Sequence, residues 1–175
     1  EVFTELKEYY KQTSESDTTK ISFYEDTYSL YNLYRFAHYY EEAYGKYIWL
    51  KSGASLVIEH TEAMTVIDVN TGSVLKKKKQ EDTLFYQINR EAAKEIARQL
   101  RLRNISGIIM IDFINMKDTA QKEKLLSLLD SECKKDRVHC NVIDMTALNL
   151  VEMTRSKVRK PLHEQIRSCM KNNRS

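Results

Sequence analysis

The spacing of apolar positions along the chain changes several times, and each change marks an element. Val2 to Lys11 has helical spacing and predicts an amphipathic helix, followed by a polar stretch, TSESDTTK, and a short strand over Ile21 to Tyr24. Leu30, Leu33, Tyr34, Ala37 and Tyr44 recur near one helical turn apart, so residues 30–44 read as one helix that Gly45 stops. Three short apolar runs come next: Tyr47 to Leu50, Ser55 to Glu59 and Met64 to Val69. Ser52-Gly53 turns the first run into the second, and Thr71-Gly72 reverses the chain after the third, so adjacent antiparallel strands are expected.

The stretch NREAAKEIARQLRLR, Asn89 to Arg103, is a strong helix pattern. At about 100° per residue, Ala92, Ala93, Ile96, Ala97 and Leu100 share one arc, while Arg90, Lys94, Arg98 and Arg101 share the opposite one. Ser106 to Phe113 is almost continuously apolar and predicts a central strand covered on both faces. Three elements are expected beyond it: a helix over about Ala120 to Lys134 and strands over Val138 to Met145 and Val151 to Thr154. Pro161 then opens a last helix running to about Met170. Strand, helix, strand argues for an α/β fold, a mixed sheet with flanking helices in which some strands run parallel.

Composition narrows the class. With 175 residues, 42% of them hydrophobic, the chain fits one ordinary domain with a real core. Four glycines and one proline are too few for a β-sandwich, a collagen or a flexible linker array. No run reaches the ~18 apolar residues of a membrane span. The first residues, EVFTELKEYY, lack the basic-then-apolar pattern of an export signal. Cys133, Cys140 and Cys169 are odd in number and have no CxxC spacing, which indicates neither a disulfide framework nor a zinc ribbon; a cytoplasmic setting is the default.

Charge is unevenly placed: residues 1–69 carry a net −6 and residues 70–175 a net +9, so the second half is the candidate surface for a phosphate-bearing partner. Lys94, Arg98 and Arg101 are the candidate phosphate contacts on its basic helix face, against the plainer reading of a solvated stripe paired locally with Glu91 and Glu95. Lys76 to Lys79 admit the same two readings, phosphate contact or a solvated loop. Eight of the eleven tyrosines lie between Tyr24 and Tyr47, where they either stack bases or, more commonly for tyrosine, pack a helix with their hydroxyls in water.

Two carboxylates break the apolar pattern in the same way. Asp68 in TVIDVN and Asp112 in IIMIDF each end a buried run, where a charge is costly unless it is compensated. A divalent cation would compensate both, and carboxylate oxygens suit Mg²⁺ or Mn²⁺. Asn70 follows Asp68 by two residues and so shares its strand face, where its amide is placed to orient a water or a phosphate oxygen. The competing reading is that each aspartate caps a loop or helix. Glu62 and Glu152 are weaker candidates near strand ends. Zinc at Cys133, His139 and Cys140 has the wrong spacing, and His38, His60, His139 and His163 form no pair at ligand spacing. No nucleophile-elbow, P-loop or HExxH motif occurs.

Three stretches, GASLVIEHTEAMTVIDVNTG, NREAAKEIARQLRLRNISGIIMIDFINM and LVEMTR, closely resemble in order and spacing the catalytic core of the ribonuclease E/G family. The resemblance runs from about Ile48 to Lys160 and continues more weakly back to the start. It implies a Mg²⁺-dependent endoribonuclease, with Mn²⁺ as the alternative ion, that cuts single-stranded RNA, prefers a 5′-monophosphate end, and acts in bacterial RNA decay and ribosomal RNA processing. It also implies a DNase I-like subdomain over residues 46–160, preceded over residues 1–45 by the end of an RNase H-like part and followed over residues 161–175 by a helix or tail. The family's metal ligands fall on Asp68 and Asp112 and its important asparagine on Asn70, the three residues the burial argument selects.

Full-length members also carry an S1 RNA-binding domain and a 5′-end sensor upstream, and a CPxC zinc link after the EMTR motif that joins subunits. None of these is matched, so the chain is expected to be a fragment of a larger enzyme and a poor ribonuclease alone. No zinc is expected in it, and any homo-oligomer belongs to the full-length protein. Asn115 replaces a common second acid and is expected to weaken metal binding; Ala54 replaces a common glycine and is expected to be tolerated. The alternative, from another class, is an RNA-binding or assembly module without turnover in isolation.

Overall fold

The computed structural model describes residues 2–13, 21–72 and 81–172; Lys76 to Lys79 and nearly all of TSESDTTK lie outside them. The chain forms two compact units, Glu1–Tyr39 and Tyr40–Ser175.

In the first unit, α1 (Val2–Thr13) matches the amphipathic pattern, and Phe3 meets Phe23 with ring centroids 5.3 Å apart. Residues 21–26 are irregular and form no strand, because no described strand lies beside them to take up ladder hydrogen bonds. The single helix expected over residues 30–44 is two, α2 (Leu30–Leu33) and α3 (Phe36–Tyr44). Ser29 opens α2, its hydroxyl accepting the Tyr31 N–H at 3.2 Å. Arg35, at φ 50°, closes it in the left-handed conformation that ends helices. None of the described side chains in this unit is buried. Tyr28, Tyr31, Tyr34 and Tyr39 are all exposed, and the rings of Tyr31 and Tyr34 lie 5.8 and 6.4 Å from that of Phe36 at the start of α3.

The second unit is a six-stranded mixed sheet in the order β1-β2-β3-β4-β6-β5, with helices on one face. β1 (Tyr47–Trp49), β2 (Ser55–His60) and β3 (Met64–Asn70) form the expected antiparallel meander. The chain then crosses through α4 (Glu81–Leu102) to β4 (Gly107–Asp112), which lies parallel to β3. After α5 (Thr119–Cys133) comes β5 (Cys140–Met145) at the sheet edge. β6 (Leu150–Arg155) inserts between β4 and β5, antiparallel to both, and α6 (Leu162–Asn172) follows.

The core has one location. Leu56, Ile58, Ile67, Val69, Ile109, Ile111, Val151 and Met153 face α4 and α5 and are buried. Against them α4 sets Ile88, Ala92, Ala93, Ile96, Ala97 and Leu100, none more than 1% exposed, as its apolar arc requires. Leu125 and Leu129 of α5 complete the layer. α4 starts eight residues before Asn89 because Leu84, Phe85 and Ile88 extend this contact.

Among the described residues no helical layer covers the other face of the sheet. Side chains alternate along a strand, so Met64, Val66, Asp68 and Asn70 of β3 and Ile108, Met110 and Asp112 of β4 point away from the helices, and none is buried. The expected double cover of β4 is thus half right, with Ile108 50% exposed. This opening is what lets charged side chains sit in the middle of a sheet.

Two turns are locked at one end of this face. Gly72 has φ 56°, and a Cβ there would lie 2.9 Å from the carbonyl oxygen of Gly53, so the turn after β3 touches the β1–β2 turn backbone to backbone.

At the opposite end α6 is anchored by the Leu162 N–H, which donates to the Arg103 carbonyl at 2.9 Å, and by the His163 ring stacked on His60 at 3.8 Å. Burial, then the neighbouring His163 and Arg103, lowers His60 from 6.5 to about 4, with Glu164 opposing. The unfolded chain therefore binds a proton between pH 6.5 and 4 that the folded chain refuses. Stability should fall as pH drops through this window, by on the order of 1 kcal/mol once the ring's partial exposure is allowed for. Urea melts at neutral and mildly acidic pH check this, and His60→Gln should flatten the dependence. A wild-type curve no steeper than that of the variant would show that the ring titrates as it does in the unfolded chain.

Candidate active site

Asp68 lies near the carboxyl end of β3 and Asp112 at the carboxyl end of β4, where open α/β sheets place their ligands. Their Cα atoms are register partners on adjacent parallel strands, so both carboxylates project side by side from the open face, on backbones about 4.8 Å apart. The Asn70 side-chain amide donates to Asp68 Oδ2 at 2.6 Å, which fixes the orientation of that carboxylate. Partial desolvation, and after it the charge on Asp68, pushes the Asp112 carboxyl above its ordinary value. Two acids held this close repel each other, and the donor set fits a cation.

The fit is to a particular kind of ion. Among the described residues no three His, Cys, Asp or Glu side chains gather as a metal cage. Two carboxylates suffice for Mg²⁺, which keeps several waters and completes its shell with substrate phosphate, and would not suffice for structural zinc.

The other candidates are dispersed. Glu152 lies on the open face of β6 opposite Met110, one row inward from Asp112, whose own partner is Leu150. Glu62 lies in the β2–β3 turn, at the far end of β3 from Asp68. Lys94, Arg98 and Arg101 ride on α4 and so lie across the sheet from the carboxylates. Arg98 is shared between Glu95, 2.9 Å away, and Glu42. Asn115 is exposed in the loop after β4, and Ala54 is fully buried in the β1–β2 turn.

Two residues that position the site escape a reading of motifs. Asn89, fully buried on α4, donates to the Ile114 carbonyl at 2.7 Å and accepts the Ile114 N–H at 3.0 Å. It thereby clamps the loop two residues beyond Asp112. Glu91 accepts the N–H groups of Lys51 at 2.7 Å and Ser52 at 3.2 Å, holding the turn that abuts Gly72 and hence the end of β3. The signal for Asn89 was an amide on the arc of Ala92, Ala93 and Ile96, where an apolar residue is expected. Asn89→Ala should cost about 2 kcal/mol by stripping both backbone groups of Ile114 of their partner. Urea melts measure the loss, and hydrogen exchange should show the Ile114 amide deprotected. Unchanged stability and protection would mean that water replaces the clamp.

The sequence matches the Ribonuclease E/G family model over residues 1–158. It is 40% identical to ribonuclease G of Haemophilus influenzae over 91% of this chain and 32% of that protein. It is 41% identical to ribonuclease G of Escherichia coli over 83% of this chain and 29% of that protein. Ribonuclease E of a Nostoc species is 35% identical over 91% of this chain and 23% of that protein. The chain thus spans about a third or less of the length of these relatives. The match runs through both aspartates, Asn70 and the helix that clamps their loops, and the chain belongs to the ribonuclease E/G family.

Proposed function

We propose that this chain is the catalytic core of a Mg²⁺-dependent endoribonuclease that cuts single-stranded RNA in RNA decay and ribosomal RNA processing. The observation that carries the reading is the pairing of Asp68 with Asp112 at matched register on an open sheet face, in a chain of this family. In this reading the two carboxylates hold the ion and Asn70 keeps Asp68 turned toward it. When bound, a divalent cation polarises a phosphodiester and lowers the pKa of an attacking water. The open face gives an extended strand access, and α4 holds the flanking loops so that the carboxylates need not reorganise during reaction. Lys94, Arg98 and Arg101, on the far side of the sheet, serve as a secondary track for the RNA backbone and take no part in the chemistry. The DNase I-like assignment of residues 46–160, a cytoplasmic setting and oligomerisation in the full-length protein belong to the same proposal.

The test is cleavage of a fluorogenic single-stranded RNA with and without Mg²⁺. Cleavage that survives EDTA would sink the metal, and RNA binding without cleavage in any divalent ion would favour a binding module instead.

A further inference from the structure

A second basic feature lies at the other end of the sheet from the aspartates. A cavity of about 520 Å³ opens where α4, β6 and the loops after α5 and β6 meet. Its wall includes Arg101, Lys135, Arg137, Arg155 and Arg159, with Asp136 as the one carboxylate among the described lining residues. Arg155 is the register partner of Gly107, five residues along β4 from Asp112, and shares the helix-facing side of β6 with Val151 and Met153, so the cavity lies about 17 Å along the strand from the carboxylate pair and on the other side of the sheet.

Only part of this charge is spent on local partners. Asp136 is fully engaged: Oδ2 accepts from Arg155 Nε and Oδ1 from the Val138 N–H, each at 2.9 Å. Arg155 is in turn consumed by Asp136, Asn104 and the Ile105 carbonyl. Lys135 is paired with Glu132, and Arg101 has only a long contact of 3.4 Å to the Glu132 carbonyl. Arg137 and Arg159 have no partner among the described residues. Both are nonetheless mounted on held backbone. The Asp136 carboxylate pins the turn that carries Arg137, and the Asn104 amide donates to the carbonyls of Arg159 at 2.9 Å and Lys160 at 3.2 Å.

We infer that this cavity is a phosphate-binding subsite that holds the backbone of the RNA strand through Arg101, Arg137 and Arg159, remote from the cleavage site. The inference rests on the ribonuclease reading for its choice of ligand. A guanidinium cannot shed its charge, and its planar fork matches phosphate oxygens in pairs. Three forks facing one hollow, with its only carboxylate already neutralised, form a site for an anion and repel other cations. Loops held by Asp136 and Asn104 remove part of the ordering cost of binding. A strand held here and carried round the sheet to its open face would be tethered while its scissile bond reaches the carboxylates, the positioning that two acids alone do not supply.

The experiment is fluorescence anisotropy of a labelled single-stranded oligoribonucleotide with the full chain in EDTA, where nothing is cut, across a salt series. Arg137→Gln and Arg159→Gln should each weaken binding and lower the log–log salt slope by ~0.7, the value for one lost contact on a single strand. Lys124→Gln, an exposed lysine of α5 outside the cavity, should leave the slope alone. Wild-type binding with unaltered slopes in both arginine variants would overturn the subsite and leave the ribonuclease reading standing. An equal fall in Lys124→Gln would overturn it in favour of diffuse attraction. Calorimetry with inorganic pyrophosphate separates the two sources of phosphate: saturable heat lost in both arginine variants, with RNA slopes unchanged, would assign the cavity to a free phosphate ligand and overturn the strand assignment. If the predicted slopes appear but no RNA is ever cut, the subsite stands and the catalytic reading falls.

Discussion

Asp112→Asn and Asp68→Asn are each expected to reduce Mg²⁺-dependent RNA cleavage by several orders of magnitude, while the urea midpoint stays level or rises slightly. In the proposed reading the loss follows because each variant replaces one of two charged ligands with a neutral amide, and no group of three acids gathers among the described residues. The rise in stability follows from the same geometry. Asp112 is held above its ordinary carboxyl value by partial desolvation and by Asp68, so the folded state resists that second negative charge, and removing it relieves the repulsion. Activity and stability moving in opposite directions separates a site residue from a structural one. Near-normal turnover at low Mg²⁺ in either variant would end the shared-ion model. A large drop in stability would return the aspartates to the role of caps.

The largest loss of stability is expected at Arg155, on the opposite end of β6. Its side chain is 3% exposed and that of Asp136 8% exposed, which makes this an ion pair taken almost wholly out of water. Burial pushes the Asp136 carboxyl up, but the Val138 N–H and the Arg155 guanidinium more than offset it and hold the group below its usual value. Arg155→Leu leaves Asp136, the Asn104 side-chain oxygen and the Ile105 carbonyl without their donor. A cost of about 3–5 kcal/mol is expected, because the stranded carboxylate keeps its desolvation penalty after its partner is gone. The double variant Arg155→Leu with Asp136→Leu should recover part of that loss. Urea melts of wild type and the three variants form the cycle; a double variant as unstable as the sum of the singles would show that the two side chains do not act as a pair.

How much of this was legible in the residues depended on the range of the interaction. β2, β3 and the apolar arc of α4 could be read because alternation and helical spacing are local signals, and each predicted core position on α4 is buried. Asp68, Asn70 and Asp112 stood out because charge at the end of an apolar run is itself an anomaly. That the two aspartates lie side by side was not legible, since nothing in either segment states that β3 pairs with β4 in that register, or that β6 inserts between β4 and β5. The open face was hidden for a different reason: Ile108 and Met110 are as apolar as Ile109 and Ile111, and only the absence of a second helical layer among the described residues distinguishes them. Glu91 looked like an ordinary polar helix residue because Lys51 lies 40 residues away in the chain, and the amide of Asn89 on the apolar arc marked an anomaly without pointing to Ile114, 25 residues away. The kink at Arg35 left no mark at all in the hydrophobic pattern.

The register of β3 against β4 has one further consequence. Because side chains alternate, a slip of a single residue between these strands would turn one carboxylate towards the core and bring an aliphatic side chain out in its place. A misregistered molecule keeps only one of the two acids on that face, so the ion site proposed here would lose half of its charge and bind far more weakly. If the pair holds an ion as proposed, tight ion binding counts molecules with the native register, and a titration whose tight phase saturates at less than one equivalent per chain would measure the remaining fraction of a preparation.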